Sequence, residues 1–311
     1  MKTIKTVIKL LFAFSVFYIL FSKADIPLIK RLFHKTDLSV FLAAFLLFAA
    51  SHFIGAFRWQ VLLRMWLYPV SLWHLSKLYL VGRFFGLFLP TAIGGDIARG
   101  YYLYGGGAEK EKTISSILVE RIMGFASMMV LALLAMLVGF RMIDNNMIRL
   151  SVIVPSIVGL LTLYIFYSRQ QPIFFTRPHF LGRKIAGLVE TTHCIHQYKT
   201  RPELLAFAFL LSGLFQVIGI LSTYLIALSI GCTVQFIHFL ILLPLVWMVS
   251  MIPVSINGLG LKEGAFVFLF SSIGMTREVA ITISLLSLVQ SIALGVLGGF
   301  CFLFERQKIS L

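Results

Sequence analysis

Acidic side chains are scarce in this chain. Twelve Asp and Glu stand against 27 Lys and Arg, and charged residues make up only 13% of its 311 residues. Soluble domains carry roughly 25%. Together with a hydrophobic content of 59% and a mean hydropathy of +0.95, this excludes an ordinary soluble globule. Cysteine is also rare: Cys194, Cys232 and Cys301 are widely spaced, which gives neither a disulfide framework nor a zinc pattern. His193, Cys194 and His196 cluster, but they read as a solvated loop before they read as a metal site, and no metal ligands are nominated. Long polar stretches are missing, the longest weakly hydrophobic one running over 169–203. There is no room for a separate soluble domain, so the net charge of +15 has no basic domain with which to hold nucleic acid. It fits the positive-inside bias and attraction to anionic head groups instead. Gly-x-Ser-x-Gly, His-Glu-x-x-His and P-loop sequences are absent, so no catalytic residue and no cofactor is nominated.

The apolar segments predict an all-α polytopic membrane bundle of about seven or eight spans of ~20 residues. They form a single integral membrane domain over 1–311. The first apolar run ends at Phe21 after Lys2, Lys5 and Lys9, and Ser22-Lys23-Ala24 follows. A retained span and a cleaved secretory signal both fit that pattern. A basic loop over 23–37 separates it from a span over 38–57, with Arg58 and Arg64 beyond that span's end. An amphipathic stretch over 72–80 leads into a short half-spanning helix, 81–89. Further spans are read over 113–140, 150–167, 204–230, 237–251 and 277–304, with a short apolar helix over 262–273. The middle loop carries Arg169, Arg177, Arg183, Lys184, Lys199 and Arg201 against Glu190 alone. That places it in the cytoplasm, and both termini with it.

Two proline-and-glycine breaks of the same form interrupt the apolar runs. One reads Pro90-Thr91-Ala92-Ile93-Gly94-Gly95-Asp96-Ile97-Ala98-Arg99; the other reads Pro253-Val254-Ser255-Ile256-Asn257-Gly258-Leu259-Gly260-Leu261-Lys262-Glu263. Each places a cation nine residues after its proline, and the prolines lie 163 residues apart. Half one is thus about 1–168 with its break at 87–99, and half two about 204–311 with its break at 251–264, joined by the loop 169–203. Corresponding broken helices in two halves point to a substrate site. The backbone groups they free cannot be satisfied by lipid tails and have to face protein or a wet cavity.

In the first break, Pro90 ends a helix, Gly94 and Gly95 permit unusual backbone, and Asp96 is expected to cap a helix carrying Arg99. Such an N-terminus would seat an anion, with Arg99 as a forked donor. A cap plus a local Asp96–Arg99 pair is the plainer reading of the same residues. In the second, Asn257 is the expected cap, Gly258 and Gly260 loosen the turn, and Lys262 and Glu263 stand in apolar surroundings. Either they mark a pathway, or Lys262 snorkels to an interface. Glu120 and Arg121 point about 100° apart on a helix and should pair with other helices rather than with each other. Arg83 is a further candidate, and His238 reads as a packing histidine. Ser287, Ser291, Gly295 and Gly299 share a helix face suited to close packing; Ser287, Ser291 and Gln290 could also line a polar path.

At these breaks the chain resembles the lysylphosphatidylglycerol synthase transmembrane-region family of flippase-like membrane proteins. The first signature is similar to Phe85-Gly86-Leu87-Phe88-Leu89-Pro90 through Gly94-Gly95-Asp96-Ile97-Ala98-Arg99, and the family's Glu-Arg to Glu120-Arg121. The second is similar to Asn257-Gly258-Leu259-Gly260-Leu261-Lys262-Glu263-Gly264. The chain departs from the common first motif at Thr91-Ala92-Ile93, where glycine is frequent. It resembles the stand-alone membrane form, without the aminoacyl-transfer domain, so the resemblance implies lipid translocation and not synthesis.

The combined expectation is a translocator whose breaks meet near mid-membrane around a polar cavity, in the cell membrane. Arg83, Gly94, Gly95, Asp96, Arg99, Glu120, Arg121, Asn257, Gly258, Lys262 and Glu263 are the expected substrate-binding residues. The cations would hold the head group, and Asp96, Glu120 and Glu263 would balance charge or carry a proton. Membrane lipids are the expected partners, and the 169–203 loop is a candidate dock for a cytosolic protein. A transferase or hydrolase acting on a lipid-linked substrate, or a non-transporting scaffold, are the alternatives. The sequence does not fix the oligomeric state.

Overall fold

The computed structural model describes residues 11, 14–22, 24–89, 93–142, 146–168, 183–252, 254–255 and 258–309. Every regular element among them is a helix. In chain order these are α1 (Ile26–Lys35), α2 (Leu38–Leu63), α3 (Leu72–Phe88), α4 (Gly94–Gly105), α5 (Lys110–Gly139), α6 (Asn146–Ser168), α7 (Arg183–Gln197), α8 (Pro202–Ser229), α9 (Phe236–Ser250), α10 (Leu261–Ser271) and α11 (Arg277–Ile309). Residues 14–22 are also helical, and Val16 among them packs against Gly264.

Among the described residues, four segments are long and apolar enough to cross a bilayer: Leu38–Trp66, Lys110–Gly139, Pro202–Ser229 and Arg277–Leu303. The protein is a multi-pass membrane bundle. At 1.5 Å per residue, α2 extends about 39 Å, more than the ~30 Å hydrocarbon core.

The sequence reading needs correcting at four places. The expected loop over 23–37 contains α1. Its N-cap Asp25 accepts a hydrogen bond from the Leu28 amide at 3.0 Å, and Pro27 stands in its first turn. The expected span over 38–57 does not stop at Arg58. Asp37 caps it, and the helix runs on to Leu63 because the guanidinium is buried and paired rather than solvated. Segments 72–80 and 81–89 form one helix, α3, started by the Ser71 cap. It ends where Leu89 turns extended, as a residue before proline does. In the middle loop, residues 169–182 lie outside those described, and 183–197 form α7, on which Cys194 is buried rather than solvated.

Both breaks are hairpins. In the first, Phe85 of α3 stacks near Tyr102 of α4, with centroids 6.5 Å apart. In the second, Phe239 of α9 meets Phe270 of α10 at 4.8 Å. By rise alone α4 reaches about 18 Å and α10 about 16 Å, so neither arm returns across a ~30 Å core. Exposed Trp73, Tyr101 and Tyr104 stand at the open end of the first hairpin, as interfacial aromatics do.

The two hairpins enter from opposite ends. Helices α2 and α8 form the most extensive contact in the bundle, and they are antiparallel. The Asp37 amide donates to the Ser229 carbonyl at 2.8 Å at one end. At the other, the Tyr198 hydroxyl donates to the Leu62 carbonyl and the Trp66 indole to Tyr198, each at 3.0 Å. The first hairpin follows α2 and opens at this second end; the second follows α8 and opens at the first. The order long helix, hairpin, long helix therefore occurs twice with reversed direction (α2, α3–α4, α5 and α8, α9–α10, α11). This is the form of an inverted repeat.

Partners are exchanged between the halves. Helix α3 packs chiefly on α11, and α9 on α5. Glycines permit both approaches. A Cβ on Gly298 or Gly295 of α11 would overlap Leu80 or Leu87 of α3, and one on Gly139 of α5 would lie 2.8 Å from Ile241 of α9. The small face expected on α11 is thus split: its glycines seat α3, while its serines face inward.

Candidate functional site

Between the hairpins and the four long helices lies a cavity of about 450 Å³. The first hairpin contributes Arg83, Leu87, Asp96 and Arg99; the second contributes Ser250, Gly258, Lys262 and Glu263. Glu120 and Arg121 come from α5, Arg58 and His52 from α2, Gln216 from α8, and Ser287, Gln290 and Ser291 from α11. The sequence reading expects the two breaks to meet around one polar cavity, and of its expected residues Arg83, Asp96, Arg99, Glu120, Arg121, Gly258, Lys262 and Glu263 line this chamber. Asn257 lies outside the described residues. His238 is not among the lining residues.

One side of the chamber is a closed ionic chain. Glu120 is only 1% exposed. Its Oε1 accepts from Arg58 at 2.6 Å and from the Tyr79 hydroxyl at 2.8 Å; its Oε2 accepts from Arg99 at 2.7 Å. Arg99 also pairs with Asp96 at 2.9 Å, and Asp96 takes Arg121 as its second partner. The guanidinium of Arg99 lies between the rings of Trp59 and Tyr79, 4.6 and 4.5 Å from their centroids. Arg58 donates a further bond to Ser212 at 2.9 Å. Three cations thus share two carboxylates, as buried charges must if they are to offset lost hydration.

This corrects two expectations. Asp96 is not the cap of α4: the helix starts at Gly94, Ile93 occupies the cap position without a side-chain bond, and Asp96 lies in the first turn. Its carboxylate is drawn off by Arg99 and Arg121. Nor is Arg99 fully open to an anion, since two of its three donor nitrogens, Nε and Nη2, are committed to carboxylates and only Nη1 is left. Gly95 meets Gly82 across the hairpin. Gly94 is buried at the helix start.

The other side is less neutralised. The Glu263 carboxylate accepts from the Gly260 amide at 2.6 Å and closes the N-terminus of α10, which makes it a cap. Gly258 and Gly260 take φ of 76° and 79°, a left-handed region that favours glycine. Lys262 has no ion-pair or side-chain hydrogen-bond partner among the described residues. Arg83 donates to Ser291 at 2.5 Å and stacks 5.5 Å from the Phe48 centroid, with no carboxylate in ion-pair range. Its Nε lacks a partner, as does Nε2 of Gln290.

The two halves explain the difference. Arg99 and Lys262 hold the same place after their prolines. Glu120, the counter-ion of Arg99, is the eleventh residue of α5, and the eleventh residue of α11 is Ser287. Half two keeps the cation, and no carboxylate among the described residues lies in ion-pair range of it.

A family model described as the lysylphosphatidylglycerol synthase TM region matches residues 6–299. The chain belongs to this family. A UPF0104 membrane protein of Pyrococcus horikoshii is 21% identical over 309 aligned residues, covering 90% of each chain. The family match spans both hairpins, so the chamber lies wholly inside the lysylphosphatidylglycerol synthase transmembrane region. Arg58, Tyr79, Trp59 and Ser212 were missed by sequence reasoning as parts of this site. A signal was present: Arg58 is followed directly by Trp59, Val61, Leu62 and Leu63, so the apolar run continues past it and the charge lies within a span.

Proposed function

We propose that the protein moves a lipid with a polar, anionic head group between leaflets, with the head in the chamber and the tails in lipid. The observation that carries this reading is Lys262 in a mid-bundle chamber with no carboxylate in ion-pair range among the described residues, its neighbour Glu263 being engaged with the Gly260 amide, and with Arg83 of the opposite hairpin lining the same chamber. An ionisable group at such depth is costly and usually functional, and a negatively charged guest supplies the missing counter-charge. The inverted pair of hairpins offers the chamber alternate access from the two ends. No covalent step is assigned. The protein resides in the cell membrane, with the α7 end of the bundle and both termini in the cytoplasm. The basic residues over 169–201 support that orientation.

The test is reconstitution of the purified chain into vesicles containing lipids labelled on one leaflet. Exchange between leaflets with no altered lipid, lost in Lys262→Ala, supports translocation. A chemically modified lipid would make the protein an enzyme. Exchange absent from the wild type, with cellular function kept in Lys262→Ala, would make it a scaffold.

A further inference from the structure

The chamber's charge and its unused hydrogen-bonding groups narrow the chemistry of the guest. Five cations and three carboxylates line it. Arg58, Arg99 and Arg121 share Asp96 and Glu120, while Glu263 is engaged with the Gly260 amide. The lining therefore carries two more positive charges than negative ones.

Its unpartnered buried side-chain atoms are all donors. Among the described residues these are Nε of Arg58, Nε of Arg83, Nη1 of Arg99 and Nε2 of Gln290. Gln290 is 2% exposed and Arg99 4%. A buried donor without a partner is costly, so the site suits a guest that brings acceptors. An ammonium head group brings only donors and meets excess positive charge. A phosphate diester brings one negative charge. A terminal phosphate monoester brings about −1.5 to −2 charges and three strong acceptor oxygens.

We propose that the chamber selects a terminal phosphate monoester, held by Lys262, Arg83 and Gln290 beside the free Nη1 of Arg99. Resting on the translocator reading, this makes the substrate a lipid monophosphate. A free phosphate ion shares the same chemistry, so the test has to separate the two sources.

The full chain is placed in phosphatidylcholine nanodiscs, and energy transfer from its tryptophans, including the chamber residue Trp247, reports tail-labelled lipids. Phosphatidic acid is compared with phosphatidylmethanol, its singly charged methyl ester, and with inorganic phosphate as an unlabelled competitor. The expected result is at least ten-fold tighter binding of phosphatidic acid than of the methyl ester, with inorganic phosphate competing only weakly. Lys262→Gln and Gln290→Leu should each erase the preference. Equal binding of the two lipids overturns the monoester inference and leaves lipid translocation standing. Displacement by inorganic phosphate at the concentrations at which phosphatidic acid acts overturns the lipid source in favour of a small anion. Absence of binding and of leaflet exchange for every lipid overturns both readings. The wild-type ratio decides among these even if a variant fails to fold.

Discussion

Gly82 on α3 and Gly95 on α4 touch backbone to backbone. A Cβ on Gly95 would overlap the Gly82 carbonyl oxygen, and one on Gly82 would stand 2.8 Å from the Gly95 carbonyl oxygen. The first hairpin closes only because neither residue has a side chain. This contact sets how near α4 brings Asp96 and Arg99 to Glu120.

Gly95→Ala should therefore force the two arms apart at an overpacking cost of about 1–3 kcal/mol. The expected outcome is a lower thermal midpoint in detergent, read by fluorescence-detected gel filtration, together with slower leaflet exchange. Gly86→Ala, one turn from Gly82 with open space around it, is the matched control and should change the midpoint little.

Glu120 joins Arg58, Arg99 and Tyr79, so its loss strands the buried Arg58 and leaves Arg99 with Asp96 alone. Removing one partner of a buried ion pair costs about 3–5 kcal/mol. Glu120→Gln should lower the midpoint more than any single substitution elsewhere in the chamber. Adding Arg58→Leu to that variant should restore part of the loss, because one stranded charge then disappears. Strict additivity of the two substitutions would show that the ionic chain is not a unit.

Lys262 and Arg99 hold equivalent places in the two halves but should behave differently. Lys262→Ala removes a charge with no ion-pair or side-chain hydrogen-bond partner among the described residues, so thermal stability should stay near wild type while exchange falls at least ten-fold. Arg99→Ala breaks pairs with Asp96 and Glu120 and should lose stability and exchange together. Equal loss of stability in the two variants would contradict the asymmetry described for the halves.

Gly298 on α11 carries no side chain where Leu80 of α3 passes. Gly298→Val should separate α3 from α11 and lower both folding yield and thermal midpoint. Gly213→Val on α8, with nothing near its missing Cβ, should be tolerated far better. Both variants are compared by the monodisperse fraction after extraction.

The layout of the bundle was legible in the sequence because apolar length and proline breaks dictate it. The predicted spans over 113–140 and 204–230 meet α5 and α8 within a few residues. The chamber's partners were less legible. Asp96 looked like a cap because its spacing suits one, and only the positions of Arg121 and Arg99 show what draws its carboxylate away. Arg58 looked like the end of a span because a buried arginine and a solvated one are the same letter. What separates them is Glu120, 62 residues later. Helix α1 was missed because its cap, Asp25, was counted as a loop charge. The Lys262 environment emerges only from the fold, which pairs Arg99 with Asp96 and Glu120 but brings no carboxylate of the described residues into ion-pair range of Lys262.

The exchange of partners between the halves bears on how the chain is made. Residues 277–309 leave the ribosome after both hairpins, yet Gly295 and Gly298 among them form the seat for α3, which was synthesised some 200 residues earlier. Until α11 inserts, the early hairpin has α2 and α5 to pack on but lacks its most extensive partner outside the hairpin. A nascent chain arrested before residue 277 should expose Arg83 to modifying reagents that the completed protein excludes.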